Sequence, residues 1–325
     1  MNEEDSEQLQ IQLERMGFKK VARPQLARII LLNTCSVRKK PEDKAFSMLG
    51  ELQALKLHHP ETIIGVCGCM AQARYDEILK RAPHVNFVLG TGDLGNLTGL
   101  VQQALHGQRR LKSISLPERK GATVADIPTR LVPTVKKIKA YVPIQYGCDK
   151  FCTFCIVPTT RGRERSRPVD DVVSEVQVLA GNGTKEVTLL GQTVNSYGKN
   201  LPGGKFRFSE LLSKLQNVEG LERIRYMSPY PRDFSDELIE VIATHSKVME
   251  QCHMPLQAGH DDLLKRMHRV YTVEGFTKIV GKLRKRMPGI GITTDIIVGF
   301  PSESFGVPVP TLPDLSRINR NSFGA

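Results

Sequence analysis

Short apolar runs and amphipathic segments alternate along the first part of the chain. The apolar runs predict buried parallel strands, and apolar residues spaced every three or four positions between them predict helices. The predicted strands cover 27–33, 62–68 and 85–90, and the predicted helices lie near 6–16, 44–57 and 74–81. This alternation predicts a small open parallel α/β domain over residues 1–107.

The same alternation returns from residue 140. Predicted strands cover 140–146, 186–190, 223–227, 252–256 and 292–298, and predicted helices lie near 169–180, 208–216, 236–244, 261–266 and 273–286. Repeated β/α units are typical of a TIM-like barrel, and such barrels carry their site residues at the carboxyl ends of the strands, where Cys148 follows the first strand of this series. Because the pattern stops after the fifth strand, we expect a partial (β/α) barrel over residues 140–301, incomplete at its C-terminus.

Two segments show neither the apolar runs of strands nor the spacing of apolar residues that is typical of helices. Residues 108–139 are basic and contain several prolines, which predicts a linker between the two domains. Residues 302–325 combine a Pro-rich stretch with Ser, Asn and Arg, which predicts a disordered tail unrelated to the barrel.

Composition limits the class of protein. The chain has 325 residues, of which 40% are hydrophobic and 25% charged, as in an ordinary globular protein, and no apolar stretch approaches the ~18 residues of a membrane span. Seven cysteines, an odd number, and no apolar signal peptide favour free thiols in a reducing cytoplasm over disulfides. The net charge of +12 suggests a polyanionic partner, although charge alone is weak evidence for nucleic acid.

The most specific pattern is a group of three cysteines, Cys148, Cys152 and Cys155, in one loop after the first strand of the second series. Thiolates are soft ligands suited to zinc, copper(I) or an iron–sulfur cluster. A structural zinc needs four protein ligands, but the next candidates along the chain are His245 and Cys252. An open coordination position indicates catalysis, so the spacing favours a cluster over zinc.

This C-x3-C-x2-C spacing resembles the signature of the radical S-adenosylmethionine (SAM) enzymes. The resemblance implies that the three cysteines are the catalytic ligands. They would hold three irons of a [4Fe–4S] cluster, and SAM would chelate the fourth iron and be cleaved reductively.

Further runs resemble the methylthiotransferases of that superfamily. Residues 33–38, 68–72 and 81–85 are similar to the N-terminal domain of this family, and residues 155–158, 160–168 and 190–197 are similar to its radical SAM core. The runs in the core favour the subgroup that modifies N6-dimethylallyladenosine in tRNA.

The resemblance also implies a second [4Fe–4S] cluster on three cysteines of the N-terminal domain, and Cys35 and Cys69 match two of them. Because the chain starts where the third cysteine run would end, we expect that ligand and the first strand to be missing. We likewise expect the sixth barrel strand and a C-terminal RNA-binding domain to be absent. Without the resemblance, Cys35 and Cys69 would be interpreted as buried free thiols.

Candidate SAM contacts follow two barrel strands. Gly191, Gln192 and Asn195 come after the second strand, where the family contacts the methionine part of SAM, and Asp295 lies on the fifth, near the adenosine. The generic alternative at both positions is a tight βα turn.

An arginine run follows the cysteine loop. Arg161 and Arg163 are predicted to bind the SAM carboxylate or a phosphate, because the forked guanidinium group suits such anions. The alternative is a solvated charged face, and it applies equally to Arg165 and Arg167.

The resemblance implies transfer of a methylthio group to carbon 2 of N6-dimethylallyladenosine in the tRNA anticodon loop, with SAM as radical source and methyl donor. It implies tRNA and an electron-donating reductant protein as partners. We expect a cytoplasmic monomer that contacts no membrane, with activity impaired by the missing segments. Three alternatives remain open: a non-catalytic fragment that binds RNA or a protein, a methylthiotransferase for threonylcarbamoyladenosine tRNA, and a zinc-binding RNA module.

Overall fold

The computed structural model describes residues 1–36, 39–116, 130–132, 136–201, 206–301 and 303, and these residues form two compact units. Among them, the first unit contains residues 1–36, 39–116 and 130–131 together with Cys155–Arg163. The second unit contains the other described residues.

The first unit is built on a parallel four-stranded sheet with the order β1-β2-β3-β4. The strands are β1 Ile29–Thr34, β2 Ile63–Gly68, β3 Phe87–Leu89 and β4 Leu111–Ser113. The helices are α1 Asn2–Arg15, α2 Lys39–His58, α3 Cys69–Arg81, α4 Leu97–Leu105 and the short α5 Val157–Arg161.

Strand β2 lies at the centre of this unit and is buried along its whole length. Ile64 and Val66 belong to the core formed with α2 and α3, whereas Ile63 and Cys67 belong to the core formed with α1 and α4. A strand covered on both faces must be apolar at every position, which is why β2 is a continuous apolar run in the sequence.

The second unit contains seven strands among its described residues. They are β5 Lys139–Pro143, β6 Gln145–Tyr146, β7 Arg165–Ser166, β8 Glu186–Leu190, β9 Arg223–Tyr226, β10 Gln251–His253 and β11 Gly291–Thr293. The helices are α6 Val169–Gly181, α7 Phe208–Gln216, α8 Asp236–Thr244, α9 Asp261–Arg266 and α10 Val273–Arg286.

The long strands of this unit are parallel. They pair in the order β5-β8-β9, and β10 pairs separately with β11. A single parallel bridge from Ile224 to Val248 connects β9 to the segment just before β10. The short β6 and β7 form an antiparallel pair beside the sheet. One hydrophobic core lies between these strands and α6, α7, α8 and α10.

These two units confirm the predicted fold class, since both are parallel α/β structures and the second repeats β/α units from β5 to β11. Sequence reasoning missed α4, α5, β4 and the short β7. Strand β4 lies inside the segment that we predicted to be an irregular linker, where it pairs with β3 from Leu111 to Ser113. Apart from residue 303, the predicted tail lies outside the described residues, as does much of the predicted linker. No helix within the described ranges is long and apolar enough to cross a membrane.

Candidate radical SAM site

The cysteine loop of the second unit follows β6. Gly147 turns the chain with φ of 67°, a left-handed conformation that glycine adopts without a steric penalty. Cys148 and Cys152 are both buried, and the backbone N–H of Lys150 donates to Cys148 Sγ at 3.5 Å. Cys155 is half-buried and begins the segment that belongs to the first unit. The joint role of the three thiols stays a prediction from their spacing.

The segment after α9 lies along this loop within the second unit. Thr153 donates its N–H to Met267 O at 3.2 Å and its hydroxyl to Arg266 O at 3.1 Å. His268 Nδ1 lies 3.1 Å from Phe151 O, and these two residues have positive φ, 57° and 48°. Left-handed backbone is uncommon at residues other than glycine, and such residues cluster at functional sites.

Arg269 is the next residue in that segment, and its guanidinium group reaches the loop. Nη1 donates to Cys152 Sγ at 3.2 Å, and Nε donates to the hydroxyl of Tyr271 at 2.8 Å. The guanidinium carbon lies 4.8 Å from the ring centroid of Tyr230 and 5.0 Å from that of Tyr271. Nothing in the sequence pattern distinguished Arg269 from other basic residues, so sequence reasoning missed it.

The residues of the loop fit an iron–sulfur cluster. The donor set is three thiols, and Cys148 and Cys152 each accept a hydrogen bond from an N–H group, as cluster sulfurs do. Within the described part of the chain, no three Cys, His, Asp or Glu side chains converge to hold a single metal ion. A cluster does not need such convergence, because each thiolate binds a different iron.

At the carboxyl end of β8, Gly191 packs against Gln145 of β6. A Cβ at Gly191 would lie 2.9 Å from Gln145 Oε1 and 3.1 Å from Val194 Cα, so only glycine fits without a shift. The Gln145 side chain is fully buried, and neither of its amide atoms has a hydrogen-bond partner in the described structure. Buried amides are normally hydrogen-bonded, so an unpartnered buried amide beside a glycine turn marks a candidate contact for a ligand.

Two other predicted SAM contacts have protein partners. Asn195 is buried; its Nδ2 donates to Tyr230 O at 2.9 Å and its Oδ1 accepts from Tyr230 N at 2.7 Å. Asp295 is half exposed, with Oδ2 3.4 Å from His253 Nε2. Gln192 is half-buried. Their contacts with SAM stay predictions.

Glu164 is a buried carboxyl that sequence reasoning did not single out, although it stands as an acidic residue within the arginine run. Its Oε2 accepts from the hydroxyl of Thr193 at 2.9 Å, and its backbone N–H donates to Asp149 Oδ1 at 3.0 Å. Burial raises the pKa of Glu164 to about 7, despite the bond from Thr193. The site therefore holds a carboxyl that changes its protonation near neutral pH.

Asp233 forms ion pairs with two lysines of the second unit. It accepts from Lys150 Nζ at 2.7 Å and from Lys199 Nζ at 2.7 Å, and the pKa of Asp233 is lowered because these bonds outweigh its burial. Lys150 also lies 4.4 Å from the ring centroid of Tyr230.

The first unit brings Cys35 and Cys69 to one edge of its sheet. Thr34 and Gly68 are paired in the parallel register of β1 and β2, and each cysteine directly follows its member of that pair. Gly68 has φ of 94°, and a Cβ there would lie 2.3 Å from Thr34 O, so the turn into α3 requires glycine. Cys67 points into the core, where burial raises its pKa to about 12. Any ligand role of Cys35 and Cys69 stays a prediction.

Arg161 lies at this same edge of the first unit. Its Nη2 donates to Asp5 Oδ2 at 2.5 Å, and the side chain is 7% exposed. Burial disfavours the charge of Arg161, but Asp5 and Cys69 raise its pKa overall. The solvated-face interpretation of the arginine run is therefore wrong for Arg161, and it is also wrong for Arg165 and Arg167, which are buried. Arg163 is exposed. Anion binding by Arg161 and Arg163 stays a prediction.

Comparison with known proteins shows the class. Residues 142–307 match the Radical SAM superfamily, and residues 1–90 match an uncharacterized protein family, UPF0004. The fold is similar to that of the radical SAM methyltransferase TsrM from Kitasatospora setae (TM-score 0.59, 15% identity, 91% of this chain and 60% of that chain). It is also similar to the cobalamin-dependent radical SAM enzyme OxsB (TM-score 0.54, 12% identity, 83% of this chain and 40% of that one). The protein is a radical SAM enzyme.

Relatives define the family more narrowly. The chain is 44% identical over 322 residues to the tRNA-2-methylthio-N(6)-dimethylallyladenosine synthase of Moorella thermoacetica, covering 98% of this chain and 71% of the relative. The corresponding enzyme of Carboxydothermus hydrogenoformans is 44% identical over 306 residues, with coverage of 94% and 68%. For that of Oceanobacillus iheyensis the identity is 42% over 306 residues, and the chain spans 58% of its length. The chain belongs to the radical SAM methylthiotransferase family of these synthases.

Proposed function

We propose that this protein transfers a methylthio group to carbon 2 of N6-dimethylallyladenosine in tRNA. The observation that carries the proposal is the cysteine loop: its three thiols have the spacing of the radical SAM signature, and two of them are buried and accept N–H hydrogen bonds. The similarity to synthases named for this nucleoside supports the substrate.

In this proposal Cys148, Cys152 and Cys155 would hold a [4Fe–4S] cluster, which would supply the electron for reductive cleavage of SAM. The chain's own groups prepare the site. Gly191 lets the backbone approach a ligand closely, and Gln145 offers an unpaired amide donor and acceptor beside it. Asn195 fixes the position of Tyr230, whose ring faces both Lys150 and Arg269. Glu164 holds a proton at its carboxyl near neutral pH.

Cys35 and Cys69 are proposed to bind a second cluster at the edge of the first unit. A helix N-terminus favours negative charge on sulfur, and Cys69 begins α3. As partners we propose tRNA, in keeping with the net charge of +12, and a reductant protein. We propose that the protein acts as a monomer in the cytoplasm.

The test starts from anaerobically reconstituted protein. Replacing Cys152 by Ala should remove one cluster, about four irons per chain, and should abolish reductive cleavage of SAM. The matched control is Cys252→Ala, because Cys252 is a fully buried core thiol on β10 and should not affect iron content. Unchanged iron in Cys152→Ala would reject the cluster assignment.

The substrate is tested with three tRNAs that differ only at the target adenosine: dimethylallylated, threonylcarbamoylated and unmodified. Mass spectrometry of the digested RNA should show the methylthio product only from the dimethylallylated tRNA. A product from the threonylcarbamoylated tRNA alone would assign the enzyme to the other branch. SAM cleavage without any RNA product would reject the proposed transfer.

A further inference from the structure

We propose that Arg269 is a positioning residue for the cluster on Cys148, Cys152 and Cys155, and that its hydrogen bond to Cys152 sets the potential at which this cluster is reduced. The inference rests on the proposed function, because it requires a cluster on the cysteine loop.

The guanidinium group is fixed on all three of its nitrogens. Besides the bond from Nη1 to Cys152 Sγ at 3.2 Å, Nε donates to Tyr271 Oη at 2.8 Å, and Nη2 points at Pro255 O at 3.4 Å. The backbone holds the residue too, since Arg269 N donates to Leu264 O at 2.8 Å. Arg269 therefore presents one N–H to the sulfur in a defined direction.

Two tyrosine rings hold the cation without neutralising it. Tyr230 and Tyr271 meet edge to face with centroids 5.6 Å apart, and each ring lies about 5 Å from the guanidinium carbon. Tyr271 is itself anchored, because its hydroxyl donates to Leu256 O at 2.9 Å. Arg269 forms no ion pair with a carboxylate among the described residues. Its positive charge is therefore directed at Cys152.

A cation that donates to a ligating sulfur changes the redox equilibrium of a cluster. The reduced cluster carries one more negative charge than the oxidised cluster, so the bond from Arg269 stabilises the reduced form more. Removing the bond should therefore lower the potential. We expect the ratio of reduced to oxidised cluster at a fixed potential to fall roughly tenfold, which is about 59 mV for a one-electron couple.

The simpler alternative is that Arg269 only fastens its segment to the cysteine loop. Thr153 and His268 already make that connection through backbone groups of Met267, Arg266 and Phe151. A purely structural role would change stability or cluster loading, but it would not move the potential of the clusters that do form.

The experiment is an anaerobic redox titration of the reconstituted full chain with dithionite and mediators. Electron paramagnetic resonance follows only the signal that changes when SAM is added, which separates this cluster from a second one. Arg269→Gln should lower the potential by the amount given above. Arg269→Lys should give a smaller shift, because it keeps a cation but loses the planar fork. The matched control is Arg286→Gln, an exposed arginine on α10 that pairs with Glu240, and it should not shift the potential.

The outcomes separate the two proposals. If Arg269→Gln binds the same amount of iron and titrates at the potential of the unsubstituted protein, the inference is wrong while the proposed function stands. If the unsubstituted protein binds no SAM-responsive cluster, the proposed function fails and the inference fails with it. If Arg269→Gln binds no cluster, the potential is measured in Tyr271→Phe instead. This variant keeps the aromatic ring but removes the hydroxyl that accepts from Arg269 Nε. A smaller negative shift in that variant supports the inference, and no shift overturns it.

Discussion

Each unit of the protein has one arginine near a candidate cluster cysteine, but the two arginines are stabilised in different ways. In the first unit, Arg161 lies near Cys69 and forms a buried ion pair with Asp5. In the second unit, Arg269 contacts Cys152 and is held by the rings of two tyrosines and by a carbonyl.

This difference has consequences for both stability and chemistry. Burial disfavours the charge of Arg161, yet Asp5 and Cys69 raise its pKa overall, so the guanidinium and the carboxylate each depend on the other. Such a pair has little net charge to offer a ligand, and breaking it leaves an uncompensated ion. The rings around Arg269 leave its charge available. The first arginine therefore contributes mainly to folding, and the second can act on a redox group.

The largest expected effect comes from removing the carboxylate of the first pair. Asp5→Ala leaves Arg161 charged and buried, so the first unit should lose about 3–5 kcal/mol of unfolding free energy in urea. Adding Arg161→Met should restore part of this loss, because no charge then remains unpaired. The control is Glu274→Gln in the exposed pair with Lys278, which should have no measurable effect.

A loss in Asp5→Ala no larger than in that control would contradict the comparison. It would mean that the charge of Arg161 reaches solvent or another anion, and anion binding by Arg161 would then become the better interpretation. The double variant distinguishes the two cases, since it should be less stable than Asp5→Ala if Arg161 has another partner.

In the second unit, Glu164 is a buried carboxyl that forms no ion pair among the described residues. It therefore tests how burial without a cation affects stability. Its pKa is about 7 in the folded protein, against an ordinary value of 4.5. Between these values the unfolded chain releases its proton while the folded protein retains it, so stability falls as pH rises from about 4.5 to about 7. The expected loss is about 3 kcal/mol.

Glu164→Gln should remove this pH dependence, because the amide stays neutral and still accepts from Thr193. Urea unfolding followed from pH 4 to pH 8 should give equal stability for the two proteins at the acidic end, with the variant more stable by about 3 kcal/mol at pH 8. Two curves that stay parallel over this range would show that the Glu164 carboxyl ionises freely.

The sequence predicted the repeating elements well because their signal is local. Strand β8 and helices α7, α8 and α10 have the predicted bounds, or bounds within one residue of them, and each has an apolar face or a capping residue in its own segment. The cysteine spacing is equally local. Strand β4 was missed because a three-residue strand with a lysine at its centre has no apolar period, and only its pairing with β3 defines it.

The contacts of the side chains at the site depend on residues distant in sequence, so no spacing could reveal them. Arg269 is 117 positions from Cys152, and Asp5 is 156 positions from Arg161. The resemblance identified which residues to examine, but it assigned Asn195 to SAM, whereas the structure also gives the amide of Asn195 two bonds to the Tyr230 backbone.

Asn195 offers the finest test of how the second unit holds its arginine, because Asn195 fixes Tyr230 and the Tyr230 ring faces Arg269. Asn195→Asp keeps an acceptor for Tyr230 N but replaces the donor to Tyr230 O by a second oxygen. Losing one buried hydrogen bond and leaving a carbonyl unpaired should cost about 2 kcal/mol in urea unfolding of the second unit. The exposed Asn217→Asp is the matched control and should stay within about 0.5 kcal/mol of the unsubstituted protein.

SAM affinity, measured by equilibrium binding to the reconstituted protein, separates the two roles of Asn195. A loss of stability with unchanged SAM affinity would show that Asn195 serves to hold the Tyr230 backbone in place. Weaker SAM binding with unchanged stability would show instead that the amide turns to the ligand, and the comparison between the two arginines would then lose its support at Tyr230.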